Sequence, residues 1–320
     1  MKMRPFLLVV SALLLLACGP KKTSQPALRS FPMAEVPAML TAPEDRMLWL
    51  GAHFWDRFTD TLQLYTCDSL VINGVQKEEV EKQMGIFATI VPELPPSEGV
   101  KDMQLFLGRL EAFQRAHPGS NMLKAMADIT AFYFYDPNSP LRSEDLYLPF
   151  VSGLSRSAYI DPAYRMGYQW DANMCQMNRT GTPAADFTFV DTKGRTRTLY
   201  QVKAPYTLLI FGNPDCHSCK ELMESMAESE LISELLDKGT VRVVDIYIDQ
   251  DIDLWKERMA DYPTAWINGY DPTFTIRGDV LYNVRALPSL YLLDKDKTVL
   301  LKDAETAQVL DSLAALEQVQ

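Results

Sequence analysis

The sequence predicts an all-helical domain followed by an α/β layer domain, and three observations carry that prediction. Between Glu44 and about Asn178, apolar residues recur at three- and four-residue spacing, the period of amphipathic helices. Past "NRTGTPAAD" the texture changes to short apolar runs alternating with helical patterns, which is how an α/β layer fold reads. With 320 residues and 47% hydrophobic composition, the chain can bury two cores. The boundary falls near residues 176–183, giving a helical domain over 31–178 and an α/β domain over 183–320.

The elements follow in order. Lys2 and Arg4 precede an eleven-residue apolar run, Phe6 to Leu16, that is too short to span a bilayer and reads as a signal peptide over 1–17. "LLAC" then resembles a bacterial lipobox, in which the thiol of Cys18 receives lipid. Residues 18–30 become the lipidated cysteine and a polar tether, and the expected location is the cell envelope. Gly19 and then "PKK", with no acidic run, resemble lipoproteins that stay anchored facing the periplasm, with the outer membrane as the expected site. The formal charge of −11 deepens when the leader is removed, so nucleic acid is not an expected partner.

Helical patterns run through "PEDRMLWLGAHFWDRF", "QKEEVEKQMGIFATI", "EGVKDMQLFLGRLEAFQRA" and "NMLKAMADITAFYFY", with breaks at "PELPPSEG", "HPGSN" and "DPNSPLRSED". About six helices in a bundle-like domain are expected. In the second half "FTFV" and "TRTLY" read as a hairpin, and "YTLLIF" as a buried strand. "CKELMESMAESELISELLDKG" reads as one amphipathic helix ending at Gly239. A second buried strand, "VRVVDIYID", follows, and "IDLWKERMADYP" is a helix. "DVLYNVRALPSLYLLD" and "KTVLLKD" read as paired strands before a final helix.

Two of the five cysteines, Cys216 and Cys219, stand in "FGNPDCHSCKELM". Thiols at this spacing can bind a metal, form a structural staple or shuttle electrons through a reversible disulfide. A structural zinc site needs four ligands, and no Cys or His follows Cys219. The same absence counts against copper delivery. A disulfide across so short a loop gains little stability. The motif follows a strand and opens a helix, where the first thiol meets the positive end of the helix dipole and unpaired N–H groups. That setting favours thiolate, making Cys216 the attacking thiol and Cys219 the resolving one. His217 has two readings. As imidazolium it would stabilise the Cys216 thiolate; otherwise it is a solvent-facing residue at a helix start. Asp215 would act against thiolate.

"GTPAADFTFVDTKGRTRTLYQVKAPYTLLIF", "CHSC" and "VRALPSLYLLDKDKTVLL" together resemble the thioredoxin-like superfamily over residues 183–315. They are most similar to membrane-tethered periplasmic thiol–disulfide oxidoreductases with an added N-terminal hairpin. The resemblance implies a cis proline at Pro288 facing the cysteine pair, and it places Leu287 and Pro288 in a groove where the backbone pairs with an incoming peptide. It implies protein thiols or disulfides as substrates, and no organic cofactor or metal beyond a redox-active Cys216–Cys219 disulfide. Asn213 and Leu209 stand where peroxide-reducing relatives carry Thr or Ser and Pro. Asp215 replaces the usual Trp, and Leu287 a β-branched or aromatic residue. Many members carry a buried acid in the strand before the motif; "YTLLIF" has none.

"FPMAEVPAMLTAPEDRMLWLGAHFWDRF" and "FYDPNSPLRSEDLY" resemble an uncharacterised helical domain found ahead of thioredoxin-like domains in Gram-negative lipoproteins, over roughly 30–176. That likeness implies an architecture and no chemistry. His53 and Asp56 share a helical face and are expected to pack or cap. Arg142 is expected to pin the "YDPNSPLR" loop, and the "FYFY" run to lie in the core. Cys67 and Cys175 read as two separate thiols rather than a disulfide. The function that follows is a lipid-anchored thiol–disulfide oxidoreductase. The rival reading is a partner-binding lipoprotein whose α/β domain is mainly a scaffold.

Overall fold

A computed structural model describes residues 28–318; the expected leader, the lipidation site Cys18 and most of the tether lie outside the described residues. The helical half begins with α1 (Pro43–His53). A small hairpin of β1 (Val71–Ile72) and β2 (Val75–Gln76) follows, which periodicity does not reveal. Its turn is Asn73-Gly74, both at positive φ (46° and 80°), the pair best suited to a two-residue hairpin. Then come α2 (Lys77–Ile90), α3 (Pro96–Ala116), α4 (Met122–Phe134), α5 (Glu144–Leu154) and α6 (Pro162–Gln176). Start signals are visible at two of them. Ser143 accepts from Leu146 N–H to cap α5, and Asp161 accepts from Ala163 N–H ahead of Pro162 at the first turn of α6. The core is aromatic, with Trp55 stacked on Phe106 at 4.9 Å and Phe106 on Phe150 at 5.5 Å. Of the "FYFY" run, Phe134 is buried in this core and Phe132 is exposed.

The second half opens with β3 (Thr188–Asp191) and β4 (Thr196–Thr198), the expected hairpin. β5 (Tyr206–Gly212), β6 (Val241–Tyr247), β7 (Ile267–Tyr270), β8 (Ser289–Leu293) and β9 (Val299–Lys302) complete a seven-stranded sheet in the order β4-β3-β7-β6-β5-β8-β9. β5 pairs parallel with β6 and antiparallel with β8, so it is central and buried on both faces. That burial is why "YTLLIF" is an unbroken apolar run rather than an alternating one. Between β5 and β6 lie α7 (His217–Glu228) and α8 (Glu230–Asp237); α9 (Ile252–Glu257), α10 (Thr275–Gly278) and α11 (Thr306–Gln318) follow β6, β7 and β9. Leu208 and Ile210 face one core with α7, α8 and α11, while Leu209 and Phe211 face the other.

Three expectations need correction. The helix read as continuous through "ESELIS" breaks at Ser229, whose extended backbone (ψ 118°) ends α7 while its side chain caps α8. β7 was not expected: Asn268 and Gly269 are poor strand formers, yet Gly269 is required there. A Cβ on it would sit 2.7 Å from the Phe189 ring. Of "DVLYNVRALPSLYLLD", only Ser289–Leu293 is strand; residues 279–288 form a loop that reaches the cysteine turn.

Candidate active site

The cysteine turn is built by the chain leaving β5. Asn213 turns it: its side-chain oxygen accepts from Asp215 N–H at 2.9 Å, its carbonyl accepts from Cys216 N–H at 3.0 Å, and its amide donates to Asp249 at 2.7 Å. Cys216 is thereby placed as the N-cap of α7, with Sγ accepting from Cys219 N–H at 3.3 Å. A thiolate there faces the unpaired N–H groups of a twelve-residue helix. Cys216 is half-buried and opens on a groove of about 530 Å³ lined by Pro214, Lys220, Arg258 and Tyr262 among others.

The opposite wall is the 279–288 loop. The Leu287–Pro288 peptide is cis, and the Cys216 thiol donates to the Leu287 carbonyl at 3.6 Å. The structure thus brings together Cys216, Cys219, Leu287 and Pro288. It does not bring in His217, whose side chain is 86% exposed and lies 3.2 Å from Glu221, so the solvent-facing reading describes it. Asp215 faces Arg258 at 3.7 Å, which offsets its charge at the turn.

Cys219 is buried, and its thiol is pushed well above the ordinary range, first by desolvation and then by bonding to Cys216 and the charge of Asp245. Asp245 is the functional candidate that sequence reasoning missed. "YTLLIF" has no acid, but Asp245 lies on the adjacent strand directly opposite Ile210, on the face that α7 covers. Complete burial raises its pKa to about 7. Its Oδ1 makes no hydrogen bond among the described residues. Gly212 leaves it room, since a Cβ there would lie 3.2 Å from that oxygen. The signal was in the sequence: one acid among the apolar residues of the strand segment "VVDIY".

The remaining candidates are structural in placement. His53 Nδ1 lies 2.7 Å from Asp56, which also pairs with Arg109. Neither Cys67 nor Cys175 is in a disulfide; Cys67 is half-buried beside Ser120, and Cys175 is buried in α6. Arg142 does bond within its loop, to the Ser139 carbonyl, but its main partners are Asp303 and Glu305 of the second half.

This sheet, with its cysteine turn and facing proline, defines the second half as a thioredoxin-like domain. The chain is 31% identical to a thioredoxin-like protein from Bacteroides caccae, with 90% of this chain and 99% of that one aligned at a TM-score of 0.80, so the likeness runs through both halves. The C-terminal domain of an uncharacterised Bacteroides fragilis protein is 45% identical over 43% of this chain and 98% of its own (TM-score 0.42). The thioredoxin domain of a thiol-disulfide oxidoreductase from Bacteroides vulgatus is 21% identical over 43% and 96% (TM-score 0.38). No curated protein matches. Residues 17–178 match the family described as Domain of unknown function (DUF5106), and the chain belongs to that family.

Proposed function

We propose that this protein is a thiol–disulfide oxidoreductase acting on protein thiols or disulfides, held at the periplasmic side of the cell envelope by lipid on Cys18. The observation that carries the redox reading is the position of Cys216 Sγ, at the mouth of α7 and 3.6 Å from the Leu287 carbonyl. The Leu287 backbone offers an incoming peptide a hydrogen-bonding group beside the sulfur. The anchor rests on the "LLAC" sequence. Among the described residues no helix is long and apolar enough to cross a membrane.

The Cys216 thiolate attacks one sulfur of a substrate disulfide, forming a mixed disulfide and expelling the other substrate sulfur as thiolate. Cys219 gives up its proton and attacks Cys216 Sγ. That step closes the Cys216–Cys219 disulfide and releases the second substrate sulfur, so two electrons have passed to the substrate. A dithiol donor restores the pair by the reverse exchange, and a substrate dithiol oxidised by the pair follows the same steps backwards. Asp245 is suited to take and return the Cys219 proton, because an acid with a pKa of about 7 changes state readily near neutral pH.

The test is reduction of insulin disulfides by the dithiol form. Wild type should turn over and Cys216→Ser should not. Equal silence of both would favour the partner-binding reading, for which the exposed Tyr164, Met166 and Trp170 of α6 are the supporting observation.

A further inference from the structure

The "YDPNSPLRSED" loop joins α4 to α5. It delivers Arg142 and Glu144 into the second half, and their partners flank the wall of the candidate site. The Glu144 carboxylate is 5% exposed. Its Oε1 accepts from Asn283 Nδ2 at 3.0 Å and lies 2.9 Å from Arg285 Nη2, while its Oε2 lies 2.6 Å from Lys302 Nζ. Arg142 Nε donates to the Asp303 carbonyl at 3.1 Å and pairs with its carboxylate at 3.3 Å. Asp303 in turn accepts from the Ser289 hydroxyl at 2.8 Å and lies 3.6 Å from Arg285. The Arg285 guanidinium stacks over Tyr135 at 4.0 Å.

The loop is therefore held on both sides of Leu287. Asn283 and Arg285 are gripped before it by Glu144, and Ser289 is gripped after it by Asp303, itself held by Arg142. With Lys302 and Glu305, this junction contains three cations and three carboxylates, so its charges balance. Glu144 is nearly dry, and a buried carboxylate matched by two cations and an amide has one low-energy arrangement, which gives the grip its geometry.

We infer that the helical domain supplies positioning residues for the redox site: Glu144, seconded by Arg142, sets the placement of the 283–289 loop against Cys216 and thereby governs docking of a protein disulfide. This deepens the reading given under Proposed function and rests on it. Neither residue touches the reacting sulfurs; each acts through the loop.

The test uses the full chain and Glu144→Gln, with three readouts: insulin-disulfide reduction, alkylation of Cys216 by iodoacetamide, and amide hydrogen exchange. KM for insulin is expected to rise about tenfold with kcat little changed, since loss of a positioning contact weakens docking rather than the sulfur chemistry. Exchange should quicken at 283–289 while β5 stays protected, and alkylation should keep its wild-type rate. A variant with wild-type KM and unaltered protection at 283–289 overturns the proposal, even if its melting temperature falls. Should Glu144→Gln not fold, Glu144→Gln with Lys302→Met keeps the charge balance, and Arg142→Gln loosens the loop from the Asp303 side; both are read by the same criteria. A wild type silent towards insulin would refute the oxidoreductase reading instead, and the exchange arm would still decide whether Glu144 holds the loop.

Discussion

The two walls of the site are held by different physics. The cysteine wall is largely local: Asn213, Cys216 and Cys219 bond to one another within seven residues, with longer reaches from Asn213 to Asp249, from Asp215 to Arg258 and from Cys216 to the facing Leu287 carbonyl. The loop wall is held from a distance: Glu144, far before it in the chain and in another domain, grips it directly, and Arg142 of the same domain acts on it through Asp303. A helix N-terminus makes its own chemistry wherever it folds, whereas a loop of ten irregular residues needs an outside grip to hold one shape. The helical half is then a frame for the part of the site that cannot frame itself.

The largest expected effect breaks the distant wall. Lys302, 4% exposed, pairs with Glu144 and donates to the carbonyls of Met174 and Cys175 at the end of α6. Lys302→Met leaves Glu144 short of a cation and should cost about 3–5 kcal/mol, read as a lowered denaturation midpoint. Next is the buried acid on the cysteine wall. Asp245→Asn should slow closure of the Cys216–Cys219 disulfide by about a hundredfold, followed by quenching the release of the second substrate thiol. It should also stabilise the fold at alkaline pH. With a folded pKa of about 7 against an ordinary 3.8, native Asp245 keeps a proton that the unfolded chain loses. Its contribution is therefore full below pH 3.8 and is lost as pH rises through 7. The melting-temperature gain of the variant should be present at pH 8 and shrink towards pH 4.

A smaller effect belongs to the helices behind the cysteines. Ser229→Ala removes the α8 cap and should cost about 1 kcal/mol in thermal unfolding without altering Cys216 alkylation. The smallest is His217→Ala. Its exposed pair with Glu221 contributes little, so turnover should stay within about twofold of wild type.

The same division explains what could be read in the sequence. The cysteine turn was legible because its determinants are neighbours: a buried strand, a turn residue, a CxxC and a helix. The two-half architecture, the six helices and the β3–β4 hairpin were legible from periodicity. Asp245 was missed because it serves the site from a parallel neighbour of β5, and strand order is not written in local pattern. β7 was missed because Gly269 answers to the approach of Phe189, a tertiary demand that overrides propensity. The Glu144 grip was invisible for the strongest version of that reason. It joins residues 139 positions apart, and a carboxylate in "RSED" reads as solvated surface until the partner is in place.

If Cys216 is the sulfur that meets substrate, a trapped intermediate should carry substrate there. Full-length Cys219→Ser, reduced and mixed with a disulfide-bonded peptide, should retain one peptide in mixed disulfide with Cys216, located by mass spectrometry of the digested adduct. Peptide found on Cys67 instead, or no adduct at all under conditions where a free thiol exchanges, would show that Cys216 is not the attacking sulfur.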